Sequence, residues 1–220
     1  TLKSLGYKRI MVVSFDASPA TGTQEIFEED PSVLTISVHS GDKKWLENNG
    51  ISSEKVDASH IGLNEGAGYN VNVAFSHQGV TDADVALAFS SLVLPLGQEF
   101  RPDILLVSCG FGLAVGDFGD SFMTKSGYSY IIDLLMKLTN GRMIAVIEAG
   151  YNARSFGECT ASVLSTLLGD VDFASASTKD TAQQRNDDKV ILNSPKTKAS
   201  ALGLLARMKV KAHAAKKVGD

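Results

Sequence analysis

A glycine-rich segment near the middle of the chain is the first candidate for chemistry. It reads Gly110-Phe-Gly112-Leu-Ala-Val-Gly116 and follows the apolar run 104–108 directly. A glycine turn between a strand and a helix can hold the pyrophosphate of a dinucleotide. The spacing departs from G-x-G-x-x-G, however, and Gly119 and Asp120 stand where a helix should begin. We therefore predict that Gly110 and Gly112 serve the backbone and not a nucleotide.

Local residue spacing predicts neither a metal site nor a nucleophile. The histidines are His39, His60, His77 and His213. None has a second ligand-type residue at helical or strand spacing, whereas a catalytic zinc ion takes three protein ligands. The chain has no G-x-S-x-G elbow. Cys109 and Cys159 are too few for a disulfide framework, and we expect two free, buried thiols.

Short apolar runs alternate with longer helical segments, which favours a mostly parallel α/β sheet. The predicted strands are 9–15, 33–39, 69–75, 104–108 and 143–148. The predicted helices are 23–29, 82–100, 126–139 and 156–168. The strands are nearly continuously apolar, as expected of strands that are covered on both faces. Thr81 is the predicted N-cap of the second helix, and Gly169 is the predicted stop of the fourth.

The composition is that of an ordinary globular protein, with 220 residues, 44% of them hydrophobic, and a net charge of −4. No apolar run approaches the roughly 18 residues of a membrane span. Residues 40–68 are polar and rich in glycine and asparagine, which predicts a long surface loop. Residues 175–198 read as a polar linker, and a basic helix is predicted within 199–220, after a body of 1–174.

The charge is distributed unevenly. From Lys196 onward the chain has seven Lys and Arg against one Asp, a net charge of +6, which leaves −10 on the rest. A basic tail on an acidic body indicates a contact with an acidic surface, and a solvated helix is the alternative. The negative total gives no reason to expect specific nucleic acid binding.

Five blocks of sequence, taken together, resemble a known family. They are Val13-Ser-Phe-Asp16-Ala-Ser18-Pro-Ala-Thr-Gly22-Thr-Gln24, Gly66-Ala-Gly68-Tyr-Asn70-Val-Asn72, Pro102-Asp103-Ile-Leu-Leu-Val-Ser108-Cys-Gly110-Phe-Gly112, Gly127-Tyr128 and Glu148-Ala-Gly150-Tyr151-Asn152. These blocks resemble the histone deacetylase and acetylpolyamine amidohydrolase family, and class II deacetylases most of all. The resemblance implies the arginase/deacetylase fold: a three-layer α/β domain with a mostly parallel sheet flanked by helices, here without the family's N-terminal strands and helices.

The family hydrolyses amides with zinc, which polarises the acetyl carbonyl and activates a water. Its zinc ligands are the Asp and His of D-x-H and the Asp of G-F-D. In this chain those positions hold Asp16, Ser18 and Gly112. The resemblance therefore implies that Asp16 is the only retained ligand-type residue, and we expect no zinc, no other cofactor and no catalytic residue. Tyr151 matches the tyrosine that hydrogen-bonds the polarised carbonyl, and it is expected to pack at a strand end.

Other family positions have changed in the same way. Ser14 replaces an aspartate of the family's monovalent-cation site, and Pro19 replaces the second His of H-H-G. The residues that build the fold are kept, whereas those that do chemistry are lost. We therefore expect an inactive deacetylase-like protein that acts as a structural or interaction subunit of a larger complex.

Two rival functions and the compartment remain open. One rival is a zinc-dependent deacetylase of acetyl-lysine or acetylpolyamine whose site is completed by other residues or chains. The other is a binding module that holds such a ligand without cleaving it. The expected partners are other protein subunits. The sequence does not fix the compartment; we expect an intracellular location, with an organelle after removal of a targeting peptide as one alternative.

Overall fold

The computed structural model describes residues 1–170, which form a five-stranded, wholly parallel sheet in the order β3-β2-β1-β4-β5. The strands are β1 (Ile10–Phe15), β2 (Val33–Ser40), β3 (Asn70–Phe75), β4 (Ile104–Gly110) and β5 (Met143–Ala149). The helices are α1 (Thr21–Phe27), α2 (Lys43–Asn48), α3 (Asp82–Ala88), α4 (Leu94–Phe100), α5 (Lys125–Leu138) and α6 (Ala153–Leu167).

The first strand is the central one. Phe15 of β1 lies beside Val38 of β2 on one side and beside Cys109 of β4 on the other. All six residues of β1 are buried. In a parallel sheet the carboxyl ends of all strands lie at the same end of the sheet, so the loops that leave the neighbouring strands β1 and β4 meet there.

The two faces of the sheet carry different layers. The larger core packs alternate strand residues such as Met11, Val13 and Leu105 against the helices, with Tyr128 and Ile131 of α5 fully buried. A smaller cluster on the other face holds Ile10, Val12, Val33 and Ile104, with Phe27 of α1 packed against it. The predicted three-layer α/β architecture is confirmed.

The apolar runs predicted the strands to within two residues at either end. The predicted helix 82–100 is continuous, but its middle turn, Phe89–Val93, has the wider π-helical winding. Thr81 caps this helix as predicted: the Asp84 carboxylate accepts a hydrogen bond from the Thr81 backbone N–H at 3.0 Å, as in a capping box, and a second one from the Thr81 hydroxyl at 2.7 Å. Gly169, with φ at 79°, follows the C-cap of α6, where a helix stop was predicted.

The predicted surface loop 40–68 is wrong in part, because it contains α2. The side chain of Asp42 caps this short helix by accepting a hydrogen bond from the Trp45 backbone at 2.7 Å. Trp45 and Leu46 then reach the core. Because two adjacent apolar residues in a polar stretch show no helical periodicity, the sequence pattern could not predict this short helix.

The edge strand β5 carries an exposed apolar strip on one face of the sheet. Ile144 and Val146 are 47% and 48% exposed. Ile144 lies beside Leu106 of β4 in the parallel register, and therefore on the face of the smaller cluster. Within residues 1–170 no strand pairs with this edge.

Both cysteines are free and buried, as predicted. Within the described part of the chain, no helix is long and apolar enough to cross a membrane. The predicted linker 175–198 and the predicted basic helix lie outside the described residues.

Candidate functional site

The candidate site lies where the carboxyl ends of β1 and β4 meet. Asp16 follows β1 directly, and Gly112 lies two residues beyond β4. The structure brings them into contact, because the backbone N–H of Gly112 donates to Asp16 Oδ1 at 2.8 Å. The carboxylate of Asp16 is thus held by the backbone at the position that the resemblance assigns to a ligand side chain.

Close packing explains the glycines of this turn. A Cβ atom on Gly112 would lie 2.4 Å from Asp16 Oδ1, 2.8 Å from a ring carbon of Phe118 and 3.1 Å from the Cβ of Ala17. A Cβ atom on Gly110 would lie 2.4 Å from Asp16 Cγ. Neither glycine has a positive φ. That these glycines serve the backbone and not a nucleotide stays a prediction; the physical reason the structure gives for them is close approach to Asp16 and not a positive φ. The first helix after the turn, α5, begins only at Lys125, so the strand-turn-helix geometry of a dinucleotide site is not formed here.

The environment of Asp16 disfavours its charge. Burial raises the pKa of this carboxyl above its ordinary value, partly offset by hydrogen bonds from the backbone of Ala17 and Gly112. The nearby carboxylates of Asp117 and Glu148 raise the pKa further. No cationic side chain contributes to this balance. A carboxylate that ligates a metal is normally stabilised by the ion's own charge.

Ser18 lies two residues beyond Asp16, half-buried in the turn that leads from β1 into α1. The three positions therefore offer one carboxylate, one hydroxyl and a hydrogen atom. This donor set does not fit a catalytic zinc ion, which takes three imidazole, thiolate or carboxylate ligands. Across residues 1–170 there is also no group of three His, Cys, Asp or Glu side chains that could hold a metal ion.

The described histidines have other surroundings. His39 is fully buried, with Nδ1 2.9 Å from the Ser37 hydroxyl and Nε2 3.0 Å from the Val56 carbonyl. Burial lowers its pKa to about 4, so the ring is neutral at physiological pH. His60 pairs with Glu28 at 2.7 Å. Both rings are thus hydrogen-bonded to groups other than Asp16.

Tyr151 lies two residues beyond β5 and is 75% exposed. Its ring meets Phe118 edge-to-face at a centroid distance of 5.1 Å, and Phe118 in turn packs on Trp45 at 5.8 Å. Tyr151 is therefore packed on one side only, which is less than the strand-end packing expected from the sequence.

Asp117 is a residue of this region that the sequence analysis missed. Its Oδ2 accepts hydrogen bonds from the backbone N–H of Tyr151 at 2.8 Å and of Asn152 at 2.7 Å, and its Oδ1 accepts one from Phe118 at 2.9 Å. Asp117 thus fixes the turn that presents Tyr151. The sequence signal that could have found it is an aspartate directly after a glycine, Gly116-Asp117, in the glycine-rich turn.

Ser14 occupies the strand position before the candidate site. Its hydroxyl is 3.5 Å from that of Ser108, which donates to Glu148 Oε2 at 2.6 Å. The hydroxyls of Ser14 and Ser108 and the carboxylate of Glu148 thus form a row of polar groups across β1, β4 and β5.

Sequence and structure comparisons show which known proteins this chain is similar to. The model of the histone deacetylase domain family matches residues 1–167. Histone deacetylase 15 of Arabidopsis thaliana is 38% identical over 170 residues, which cover 76% of this chain and 30% of that protein. The human polyamine deacetylase HDAC10 is 38% identical over 168 residues, which cover 75% of this chain and 24% of that protein.

A solved structure shows the same fold. The crystal structure of the HDA15 HD domain superposes with a TM-score of 0.71 at 35% identity and covers 93% of this chain and 56% of that chain. The chain thus spans about a quarter to a third of the length of these two curated relatives.

Proposed function

Because the chain belongs to the histone deacetylase domain family, in its class II branch, we propose that it is a catalytically inactive member. In this proposal it binds no zinc and acts as a structural or interaction subunit of a larger protein assembly. The main support for the proposal is the hydrogen bond that the Gly112 backbone N–H donates to the Asp16 carboxylate.

That bond supports inactivity for a steric and a chemical reason. The space beside Gly112 is filled by the Asp16 carboxylate, so there is no room for a ligand side chain at residue 112 without displacing Asp16. Asp16 alone retains a ligand-type group, and a site with one strong ligand binds zinc weakly. Tyr151 can donate a hydrogen bond to a carbonyl oxygen, but without the metal it does not activate water.

The apolar strip on β5 supports the interaction role. Ile144 and Val146 stand side by side on a strand whose outer edge has no partner within residues 1–170. An unpaired, apolar sheet edge associates readily with another chain, because it offers backbone hydrogen bonds together with apolar area. In the proposal, another protein subunit covers this edge, and the basic residues from Lys196 onward contact an acidic surface of the assembly.

The proposal is tested first by metal content. We expect well under 0.1 zinc per chain after purification at neutral pH. A content near one zinc per chain that is lost in Asp16→Ala would refute the proposal. The double variant Ser18→His with Gly112→Asp is the gain-of-ligand control. Its new carboxylate must displace Asp16 from the residue 112 N–H, so the metal-free variant should be less stable than the parent chain. With three ligand groups it should still bind zinc more tightly than the parent chain, without acquiring deacetylase activity.

The interaction role is tested by sedimentation. We expect the purified chain to associate, or to be recovered with partner proteins from its native source. A chain that is monomeric and unfolds cooperatively above about 55 °C, within the mesophile range, would remove the physical support for a subunit that needs covering.

The exposed Tyr151 ring favours one second candidate, a zinc-dependent deacetylase whose site is completed by another chain. Under that candidate the native assembly would deacetylate acetyl-lysine or acetylpolyamine substrates. The activity would be lost both on chelation and in Tyr151→Phe.

A further inference from the structure

A second cluster of polar groups lies at the amino-terminal end of the sheet, where the first residues of three neighbouring strands come together. Arg9 directly precedes β1, Arg142 directly precedes β5, and Arg101 lies three residues before β4. Since β1, β4 and β5 are adjacent and parallel, their amino ends converge. All three arginines line one open cavity of about 370 Å³.

Two of these arginines are held in place by backbone carbonyls. Arg9 donates from Nε to the carbonyl of Arg101 at 2.8 Å, and Arg142 donates from Nε to the carbonyl of Asp103 at 2.9 Å. Each bond uses one of the five N–H groups of a guanidinium. These two bonds therefore order both side chains before any ligand binds.

The cavity has a net positive charge. Its one acidic residue is Asp103, which is ionised because backbone N–H groups of Arg9 and Lys8 lower its pKa. Arg9 also pairs with Asp103 at 3.5 Å. The rest of the lining, which includes Gln98 and Leu138, is uncharged. Three arginines against one aspartate give the lining residues a net charge of +2.

Arg101 adds an independent observation. It ends α4 with φ at 54° and ψ at 63°, in the left-handed region. Glycine or asparagine fills this region more easily than a long side chain does. Strain of this kind is found at functional sites, where the side chain has a use that outweighs the backbone conformation.

We propose that this cavity, hereafter the arginine cavity, is an anion site that takes the phosphate group of a small molecule. Guanidinium groups match phosphate oxygens in bidentate geometry, and three of them offer more donors than the two oxygens of a carboxylate use. The charge of +2 complements a phosphate monoester, which carries about −1.5 to −2 at neutral pH. The volume of about 370 Å³ lies at the small end of ligand pockets, at roughly 300–1,000 Å³.

The experiment titrates the full chain with inorganic phosphate and with a hexose phosphate, by calorimetry and thermal unfolding, against sodium chloride of equal ionic strength. We expect both phosphates to bind and to raise the Tm, whereas chloride does not. Arg142→Gln should weaken binding at least tenfold. Arg154→Gln on α6, which removes an exposed arginine elsewhere, should leave the affinity within twofold.

Arg101→Gly separates binding from folding. The substitution removes the guanidinium and also relieves the left-handed strain, so we expect the Tm to stay level or rise by a few degrees while phosphate affinity falls at least tenfold. The proposal is overturned if 10 mM phosphate has no effect beyond that of chloride, or if both arginine variants bind phosphate like the parent chain. Binding of a single-stranded oligonucleotide without binding of either phosphate would overturn it as well, in favour of a nucleic-acid surface.

Discussion

The contact between Asp16 and Gly112 makes a quantitative prediction about a single methyl group. In Gly112→Ala the new Cβ atom would lie 2.4 Å from Asp16 Oδ1, far inside an ordinary contact. The Ala17 Cβ at 3.1 Å and the Phe118 ring at 2.8 Å limit the room for escape. Either the backbone shifts or the Asp16 side chain rotates and lengthens its hydrogen bond from residue 112.

Both responses have known costs. Overpacking of a well-packed site costs about 1–3 kcal/mol, and a hydrogen bond to a charged group contributes about 1.5–3 kcal/mol. We therefore expect Gly112→Ala to lower the free energy of unfolding by about 1–3 kcal/mol. For a chain of this size, each kcal/mol corresponds to roughly 2–4 °C in Tm.

The assay is urea or thermal unfolding of four proteins: the parent chain, Gly112→Ala, Asp16→Ala and the double variant. Because Asp16→Ala removes the clashing oxygen, Gly112→Ala should cost at least about 1 kcal/mol less in that background. Gly157→Ala is the matched control. A Cβ atom there meets nothing within 4 Å, and the α6 interior should gain about 0.5–1 kcal/mol.

Two results would refute the reasoning. One is a Gly112→Ala variant as stable as the parent chain within about 0.5 kcal/mol, the usual range for a surface change. The other is strict additivity in the double variant. Either result would mean that the space beside Gly112 is open, and that a ligand carboxylate at this position needs no displacement of Asp16.

Three further predictions concern other parts of the molecule. Burial holds the pKa of His39 at about 4, below its ordinary 6.5, so the unfolded chain binds more protons between these values. The stability due to neutral His39 is therefore complete above about pH 6.5 and is lost as the pH falls towards 4, by about 3 kcal/mol. Acid-unfolding curves should show this loss, and His39→Leu should flatten them. Gln24 accepts hydrogen bonds from the buried side-chain amides of Asn70 and Asn72 at 2.9 and 2.8 Å. Gln24→Leu should therefore lower the free energy of unfolding in urea by about 1–3 kcal/mol, and a decrease below about 0.5 kcal/mol would contradict this network. Ile144→Lys with Val146→Lys should reduce association in sedimentation without changing the circular dichroism spectrum, whereas unchanged association would place the contact surface elsewhere.

The fold was predictable because its strands are continuously apolar. The run from Ile10 to Phe15 is buried along its whole length, and a strand covered on both faces has few alternatives. The short helix α2 escaped prediction because its helical signal is one capping aspartate followed by Trp45 and Leu46. These two residues become core residues only once the sheet exists.

The candidate site was predictable in its residues but not in its contacts. Aligned motifs located Asp16, Ser18, Gly112 and Tyr151, since each lies in a block with a recognisable spacing. The bond from the Gly112 backbone to Asp16 joins residues 96 positions apart, and no local pattern encodes it. The same holds for Asp117 beneath Tyr151 and for the arginine cavity, both of which exist only because parallel strands bring distant loops together.

The order of strands in the sheet also has a consequence for synthesis on the ribosome. The two neighbours of β1 arrive at very different times. Pairing with β2 needs residues up to Ser40, whereas its other neighbour, β4, lies 94 residues along the chain from β1, as in the Ser14–Ser108 pair. From the end of β2 at Ser40 to the end of β4 at Gly110 the ribosome adds 70 residues, which takes roughly 4–14 s at about 5–20 residues per second. Throughout that interval the central strand of the finished sheet is an edge strand. A nascent chain in this state exposes Met11 and Val13, which are later fully buried, so adjacent ribosomes on one message would bring two such edges together. Slower elongation between β3 and β4 should therefore increase co-translational aggregation.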